Sequence, residues 1–169
     1  MIACVDVHYE ASPAGGERAR AAVVTIASFG DAEPLARRVA LVPQVERYEP
    51  GAFYRRELPC IRAALAMLDA MPEVVIVDGH AWLDVGVPGL GARLLEAEPG
   101  IRTVIGVAKT RFRETPATEV FRGSSQTPLW VDEAGEPIDV ARAVTQMHGP
   151  HRVPTMLRLV DQLCRGLVQ

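Results

Sequence analysis

The stretch Val74-Val75-Ile76-Val77-Asp78-Gly79 (VVIVDG) decides the fold, because it is a continuous apolar run that stops at an acid and a glycine. Such a run is typical of a central strand that is covered on both faces of its sheet. Residues 103–108 (TVIGVA) have the same character and lead into Lys109. The first residues, Ile2-Ala3-Cys4-Val5-Asp6-Val7, form a shorter apolar run with one acid inside it. These three runs predict the buried strands of a sheet.

Strand and helix patterns alternate around these runs. Two strand-like segments follow the first run, and the three together predict an antiparallel meander. The later segments predict helices whose apolar positions repeat at helical spacing, separated by strands. This order predicts an α/β fold: a mixed sheet, made of the three-stranded meander plus parallel strands, flanked by helices. The additional predicted strands are residues 20–29, 35–41, 121–125 and 129–131, and the predicted helices are residues 53–69, 89–96, 138–147 and 155–167.

Composition narrows the class of protein. The 169 residues, 49% of them hydrophobic and 23% charged, predict one compact domain over residues 1–169. Eighteen basic and 21 acidic residues give a net charge of -3, which excludes a highly basic coat protein of nucleic acid but not a local basic groove. The sequence has no long apolar run, no signal-peptide pattern and three cysteines in no paired spacing. We therefore expect a cytoplasmic, monomeric protein without a membrane partner.

Three acids stand out by their positions. Asp6 lies inside the first apolar run, Asp78 ends the fourth strand, and Glu57 lies at the beginning of a predicted helix. Burying an acid is costly unless it is paired or bound to a cation, and a cluster of carboxylates favours Mg²⁺ or Mn²⁺. Such an ion binds a phosphodiester oxygen and activates a water molecule. The alternative is that each acid only caps a turn or helix, as an Asp at a strand end usually does.

Seven segments along the chain carry a resemblance to a known family. They are Val5-Asp6-Val7-His8-Tyr9, Tyr48-Glu49-Pro50-Gly51-Ala52-Phe53-Tyr54-Arg55-Arg56-Glu57, Val77-Asp78-Gly79-His80, Gly89-Leu90, Ile105-Gly106-Val107-Ala108-Lys109, Arg122-Gly123-Ser124 with Pro128-Leu129, and Arg152-Val153-Pro154 with Arg158-Leu159-Val160-Asp161. In this order the segments resemble the endonuclease V family. The resemblance implies a ribonuclease H-like fold. It also implies an endonuclease that cleaves DNA or RNA near a deaminated purine, chiefly at the second phosphodiester 3′ to inosine, with Mg²⁺ or Mn²⁺ as cofactor.

The same resemblance implies roles for individual residues. It makes Asp6, Glu57 and Asp78 the catalytic metal ligands, and it makes Lys109, the one lysine of the chain, a contact to a phosphate or to developing negative charge. It also implies a wedge that holds the strands apart while inosine is turned out of the base stack, a task that suits an aromatic residue with a proline. The implied nucleic-acid-binding residues are Tyr48, Pro50 and Gly51 in the wedge, and Gly79 and His80 beyond the fourth strand. A hydrogen-bonded structural role for His80 stays open.

The sequence departs from the family pattern at three places. Glu136 takes the position of a histidine that the family pattern places in the active site, so it is either a fourth metal ligand or a sign of lost catalysis. Glu49 introduces an acid into the wedge, where it would repel a phosphate backbone. Residues 81–86 (AWLDVG) differ from the segment expected at the hypoxanthine pocket. An alternative function is therefore a catalytically weak or inactive relative that binds nucleic acid without cutting it. The choice between DNA and RNA, and the lesion, stay open.

Overall fold

A mixed β-sheet forms the centre of the structure, a computed structural model that describes residues 1–49 and 52–168. Within this described part the sheet has seven strands, in the order β3-β2-β1-β4-β7-β9-β8, and a separate two-stranded hairpin (β5-β6) lies beside it. The strands are β1 (Ile2–Ala11), β2 (Glu17–Ile26), β3 (Ala36–Val42), β4 (Val74–Asp78), β5 (Trp82–Asp84), β6 (Val87–Pro88), β7 (Thr103–Ala108), β8 (Thr118–Val120) and β9 (Leu129–Gly135).

The pairing of the strands confirms the predicted mixed sheet. The first three strands form the expected antiparallel meander. The two central pairs, β1 with β4 and β4 with β7, are parallel, while β9 returns antiparallel to β7 and carries β8 at the sheet edge. The carboxyl ends of β1, β4 and β7 consequently meet at one edge of the sheet.

Four helices in the described part cover the two faces of the sheet and divide its core in two. One apolar cluster joins Cys4, Ile76 and Ile105 to the two carboxyl-terminal helices, and the other joins Val5, Val75 and Val77 to the first two helices. Successive side chains of a strand point to opposite faces, so Asp6 shares the face of Cys4. None of these helices is long and apolar enough to cross a membrane. The helices are α1 (Tyr54–Leu65), α2 (Leu90–Ala97), α3 (Val140–Gln146) and α4 (Thr155–Cys164).

The prediction of a strand at residues 121–125 is wrong. The strand at this edge is Thr118–Val120, and the chain then turns, with the amide of Ser125 donating to the carbonyl of Arg122 at 3.3 Å. Gly123 has a φ of +59°, and a Cβ there would lie 2.2 Å from the carbonyl oxygen of Pro150. The positive φ and the close approach of backbone both require glycine, so the segment cannot continue as a strand.

Close packing at Gly106 in β7 leads to a stability prediction. A Cβ at this position would lie 2.3 Å from Asp132 Oδ1, 2.5 Å from the nitrogen of Ala81 and 2.7 Å from the oxygen of Gly79. We therefore expect Gly106→Ala to lower the free energy of unfolding by about 1–3 kcal/mol, the usual cost of overpacking, in urea denaturation.

Gly30→Ala is the matched control, because its Cβ would meet only the carbonyl oxygen of Gln146 at an ordinary 3.7 Å. Equal stabilities of the two variants would contradict the packing described for Gly106.

Candidate metal centre

Asp6 and Asp78 meet at the carboxyl edge of the parallel strands. The last register pair of β1 with β4 is Val5 opposite Val77, so the next residue on each strand is one of the two acids. The amide of Val7 donates to Asp6 Oδ1 at 2.8 Å, and Lys109 Nζ donates to Asp78 Oδ2 at 2.9 Å. Open α/β sheets place functional groups at this edge.

Glu57, in the first turn of α1, lies near enough to Asp6 and Asp78 for their charges to interact. Its side chain is only 6% exposed, and its Oε2 is buried without a hydrogen-bond partner. Burial is the largest cause that raises the pKa of this carboxyl, to about 8, and the charges of Asp6 and Asp78 add to the effect. An unpartnered buried carboxylate is costly, so this oxygen requires either a proton or a cation.

The other charges do not neutralise this cluster. Burial, followed by repulsion from Asp78, raises the pKa of Asp6 to about 6. Burial disfavours the charged form of Lys109, but its hydrogen bond to Asp78 and the nearby acids outweigh that effect and raise the pKa of its ammonium group. One lysine therefore faces several acids, and hard carboxylate oxygens are the donor set that Mg²⁺ and Mn²⁺ prefer. The residues present fit a divalent cation.

Two residues of α4 join the cluster, and the sequence assigned neither of them a functional role. Ligand atoms of Asp6, Asp161 and Cys164 all lie within 4.8 Å of one another. Their spacing of three residues puts Asp161 and Cys164 on one face of α4. Asp161 ends one of the segments that carry the family resemblance, and this was the available signal. Arg165 Nε donates to Asp161 Oδ1 at 2.7 Å.

Glu136, the predicted fourth ligand, lies at the other end of the central strands, beside the start of β7. It follows Gly135, which pairs with Thr103 at the start of β7, and it forms an ion pair with Arg102 at 2.7 Å. Glu136 falls opposite residue 102, seven residues before Lys109, and a strand rises about 3.3 Å per residue, so the two are separated by roughly 23 Å along β7. The expectation that Glu136 is a metal ligand is therefore corrected: β9 runs antiparallel to β7 and carries its end away from the site.

A cavity of about 510 Å³ is lined by Asp6, Asp78 and Asp161. Apolar and basic side chains complete its lining. One wall is held by Arg152, whose Nη2 donates to the carbonyl oxygens of Lys109 and, at 2.6 Å, Pro128. The lining residues are Val5, Asp6, Asp78, Val107, Lys109, Leu129, His151, Arg152, Val153, Leu157, Arg158, Val160 and Asp161.

Arg122 holds this wall in place, a role that the sequence reasoning missed. Its guanidinium is buried and donates to the carbonyl oxygens of His151 at 2.8 Å and Gly149 at 3.1 Å, and to that of Met147. Several backbone acceptors thus converge on one side chain, and burial lowers its pKa. The segment that presents His151 and Arg152 to the cavity is therefore fixed to the end of α3.

The aromatic residue of the predicted wedge is at the surface. Tyr48 is 60% exposed, and its ring centre lies 6.1 Å from that of Phe53, which in turn lies 6.2 Å from that of Tyr9. Glu49 forms an ion pair with Arg55 at 3.0 Å, so the acid in the wedge has a compensating charge. The other two predicted wedge residues, Pro50 and Gly51, lie outside the described residues.

His80 lies in the interior of the protein. Its Nε2 is 3.1 Å from the oxygen of Thr110 and 3.3 Å from the nitrogen of Phe112, and the residue is 7% exposed. It therefore connects the end of β4 to residues 110–112, which corresponds to the structural alternative rather than to contact with nucleic acid. Gly79 precedes it with a φ of +144° and donates its amide to the oxygen of Val107 at 3.1 Å.

Comparison with solved structures shows the fold. The endonuclease V of Bacillus subtilis superposes with a TM-score of 0.78 at 20% identity, over 98% of this chain and 79% of that one. That of Streptomyces avermitilis has a TM-score of 0.72 at 25% identity, over 98% and 80%. That of Ciona intestinalis, in complex with a 24mer DNA containing an inosine followed by a ribo-adenosine, has a TM-score of 0.79 at 19% identity, over 98% and 84%. These proteins share the mixed sheet and its flanking helices.

Comparison of sequences gives the family. Residues 1–153 match the family model described as Endonuclease V. The endonuclease V of Xanthomonas axonopodis pv. citri is 32% identical over 135 residues, which cover 76% of this chain and 52% of that protein. That of Alkalilimnicola ehrlichii is 37% identical over 101 residues, covering 58% and 42%. The chain spans about half the length of these curated relatives. The family model covers nine-tenths of the chain, and the chain therefore belongs to the endonuclease V family.

Proposed function

We propose that this chain is a Mg²⁺- or Mn²⁺-dependent endonuclease that hydrolyses a phosphodiester near a deaminated purine, inosine, in DNA or RNA. One observation carries the proposal: Glu57 Oε2 is buried without a hydrogen-bond partner beside Asp6 and Asp78, in a cluster that one lysine leaves negatively charged. A relative of the same fold from Ciona intestinalis is described in complex with inosine-containing DNA, which supports the choice of substrate.

The ligand set in this proposal is Asp6, Glu57 and Asp78, with Asp161 as the fourth carboxylate. When bound, a divalent cation polarises a phosphoryl oxygen and makes an attacking water molecule more acidic. Asp6 is held for this role by the amide of Val7, which donates to its Oδ1 at 2.8 Å, while its Oδ2 accepts from the Cys164 thiol at 3.7 Å. Glu57 contributes an oxygen that the protein itself leaves without a partner.

Lys109 has two tasks in the proposed reaction. Its ammonium group donates to Asp78 Oδ2 at 2.9 Å, and so fixes the orientation of that carboxylate. The same group lines the cavity beside the acids, where it is placed to stabilise the negative charge that develops on a phosphate. The backbone contact between Lys109 and Arg152 supports its position.

Tyr48 is the proposed wedge. Its ring is exposed and rests against Phe53 at the start of α1, the helix that carries Glu57. An exposed aromatic side chain whose Cα is held by a helix can enter a stack of nucleobases. Its stacking there compensates for the free energy lost when a nucleotide is flipped out.

The alternative function is a relative that binds nucleic acid without cutting it. The reason for considering it is that Glu136 takes the position of a histidine in the family pattern. That residue is paired with Arg102 at the far edge of the sheet, and Asp161 supplies a carboxylate at the cluster instead. The reason for expecting lost catalysis is thereby weakened, and cleavage assays distinguish the two functions directly.

Cleavage of an inosine-containing oligonucleotide tests the proposed function. We expect the protein to cut it with Mg²⁺ or Mn²⁺, and we expect Asp78→Asn or Asp161→Asn to reduce kcat on the order of 10²–10³-fold, as loss of charge stabilisation in an active site does. Glu136→Gln is the matched control, since it removes a carboxylate that is paired with Arg102 at a distance from the site, and it should cut at the normal rate. Binding without cutting in either metal, at high enzyme concentration, would favour the alternative.

The pH dependence of stability tests the metal centre without catalysis. Asp6 and Glu57 have raised pKa values, about 6 and about 8, so without a cation the folded state binds more protons than the unfolded state. The free energy of unfolding is therefore highest at pH values below the ordinary carboxyl pKa values, and it falls as pH rises towards 8. The slope is at most about 1.4 kcal/mol per pH unit for each extra proton that the folded state binds.

Thermal melting in chelator from pH 4.5 to 8 should show this decline, and Mn²⁺ should abolish most of it by stabilising the ionised carboxylates. Glu57→Gln should flatten the profile in chelator. A flat profile for the unaltered protein, with no effect of Mn²⁺, would contradict the assigned ligand set.

A further inference from the structure

Three aromatic rings form a row that runs from the surface to the meander. The ring centre of Tyr48 lies 6.1 Å from that of Phe53, at an interplanar angle of 60°. The ring of Phe53 lies 6.2 Å from that of Tyr9 in an edge-to-face arrangement, at 67°. Tilted and edge-to-face rings at about 4.5–7 Å attract one another beyond the effect of burial. Since Tyr9 lies in β1, the row connects the exposed ring of Tyr48 to the central sheet.

Arg56 fixes the inner end of this aromatic row. Its guanidinium carbon lies 3.8 Å from the ring centre of Tyr9, and its Nη1 forms an ion pair with Glu17 Oε2 at 3.1 Å. The side chain of Arg56 is 5% exposed, and a cation–π contact is strongest where it is desolvated. Tyr9 is therefore held by a guanidinium from α1 on its ring, while Glu17 of β2 holds that guanidinium.

Side-chain exposure increases along the row towards Tyr48. Tyr9 is partly buried, Phe53 is 42% exposed, and Tyr48 is 60% exposed. The hydroxyl of Tyr9 is buried without a hydrogen-bond partner, so the packing of its ring and not a bond from its oxygen accounts for its position. The row is thus anchored at its inner end and open at its outer end, which presents the Tyr48 ring to a ligand.

We propose that Phe53 and Tyr9 are positioning residues for Tyr48, and that the row is required for cleavage of double-stranded but not of single-stranded nucleic acid. This inference rests on the proposed role of Tyr48 as the wedge. Holding the ring in place beforehand reduces the conformational entropy that is lost when it enters the duplex. A base that is already single-stranded is the least costly to unstack, so its cleavage does not depend on the position of the wedge.

Cleavage of one inosine-containing oligonucleotide, alone and annealed to its complement, tests the positioning role. We expect Phe53→Leu and Tyr9→Leu to lower kcat/KM on the duplex by about threefold to tenfold, the effect of losing one aromatic pair, and to change it on the single strand by less than about twofold. Tyr9→Phe should restore cleavage of the duplex, because it keeps the ring and removes only an unpartnered hydroxyl. Phe121→Leu is the matched control, since this exposed phenylalanine follows β8 at the far edge of the sheet from the meander.

A double-mutant cycle shows whether the row acts through Tyr48. In the Tyr48→Ala background, Phe53→Leu should cause no further loss on the duplex, because the ring that it positions is gone. Insertion of the ring is also measurable without catalysis, with 2-aminopurine beside the inosine, since the fluorescence of this base rises when it loses a stacking neighbour. Binding of the unaltered protein to the duplex should raise the fluorescence, and Tyr48→Ala and Phe53→Leu should both reduce the rise.

Three outcomes would overturn the inference. Equal losses on the duplex and the single strand would mean that the row only holds α1 and its Glu57, and additive losses from Tyr48→Ala and Phe53→Leu would mean that the two side chains act separately. A fluorescence rise that is absent, or that Phe53→Leu leaves unchanged, would also exclude the positioning role. Phe53 is 42% exposed, so its leucine variant keeps the test in force where Tyr9→Leu does not fold. A protein that cuts neither substrate but shows the rise, reduced in Phe53→Leu, would contradict only the proposed function.

Discussion

Repulsion between carboxylates that the sheet forces together is the constraint on which the rest of this structure depends. Parallel pairing of β1 with β4 puts Asp6 beside Asp78, and α1 adds Glu57 with one unpartnered buried oxygen. Burial raises the pKa values of Asp6 and Glu57, and Lys109 offsets only part of the negative charge. Such a cluster opposes folding unless a proton or a cation joins it.

The carboxylate cluster opposes folding, and packing in the two apolar clusters supplies the free energy that offsets it. Each face of the sheet is covered by a pair of helices, and the strands between them are buried along most of their length. The helices that provide this packing also bring the remaining site residues, because Glu57 lies in the first turn of α1 and Asp161 lies in α4. Core packing and site geometry are therefore determined together: a shift of either helix would move a carboxylate. Arg122 also links packing to the site, because its hydrogen bonds fix the segment that lines the cavity to the end of α3.

Interpretation of the sequence succeeded where local pattern carries the information. The continuous apolar runs at β4 and β7 predict buried strands, and the acid that ends β4 lies at the edge where the site forms. It failed for Glu136, whose position in an alignment said nothing about the direction of β9. It also assigned no functional role to Cys164, since a lone cysteine in a helix is usually a packing residue. The prediction of a strand at residues 121–125 failed because the close approach of Pro150 to Gly123 is not a local property of the sequence.

The sequence by itself determined the class of fold and the meander, and it picked out three candidate acids, because hydrophobic periodicity and the ends of strands and helices are properties of neighbouring residues. The tertiary structure decided which charged groups share one space. It brought together Asp6, Asp161 and Cys164, residues more than 150 positions apart for the most distant pair, and it separated Glu136 from them. The physical reason is that electrostatic repulsion, desolvation and metal coordination act over a few ångströms of space, and only the paired strands and packed helices define those distances.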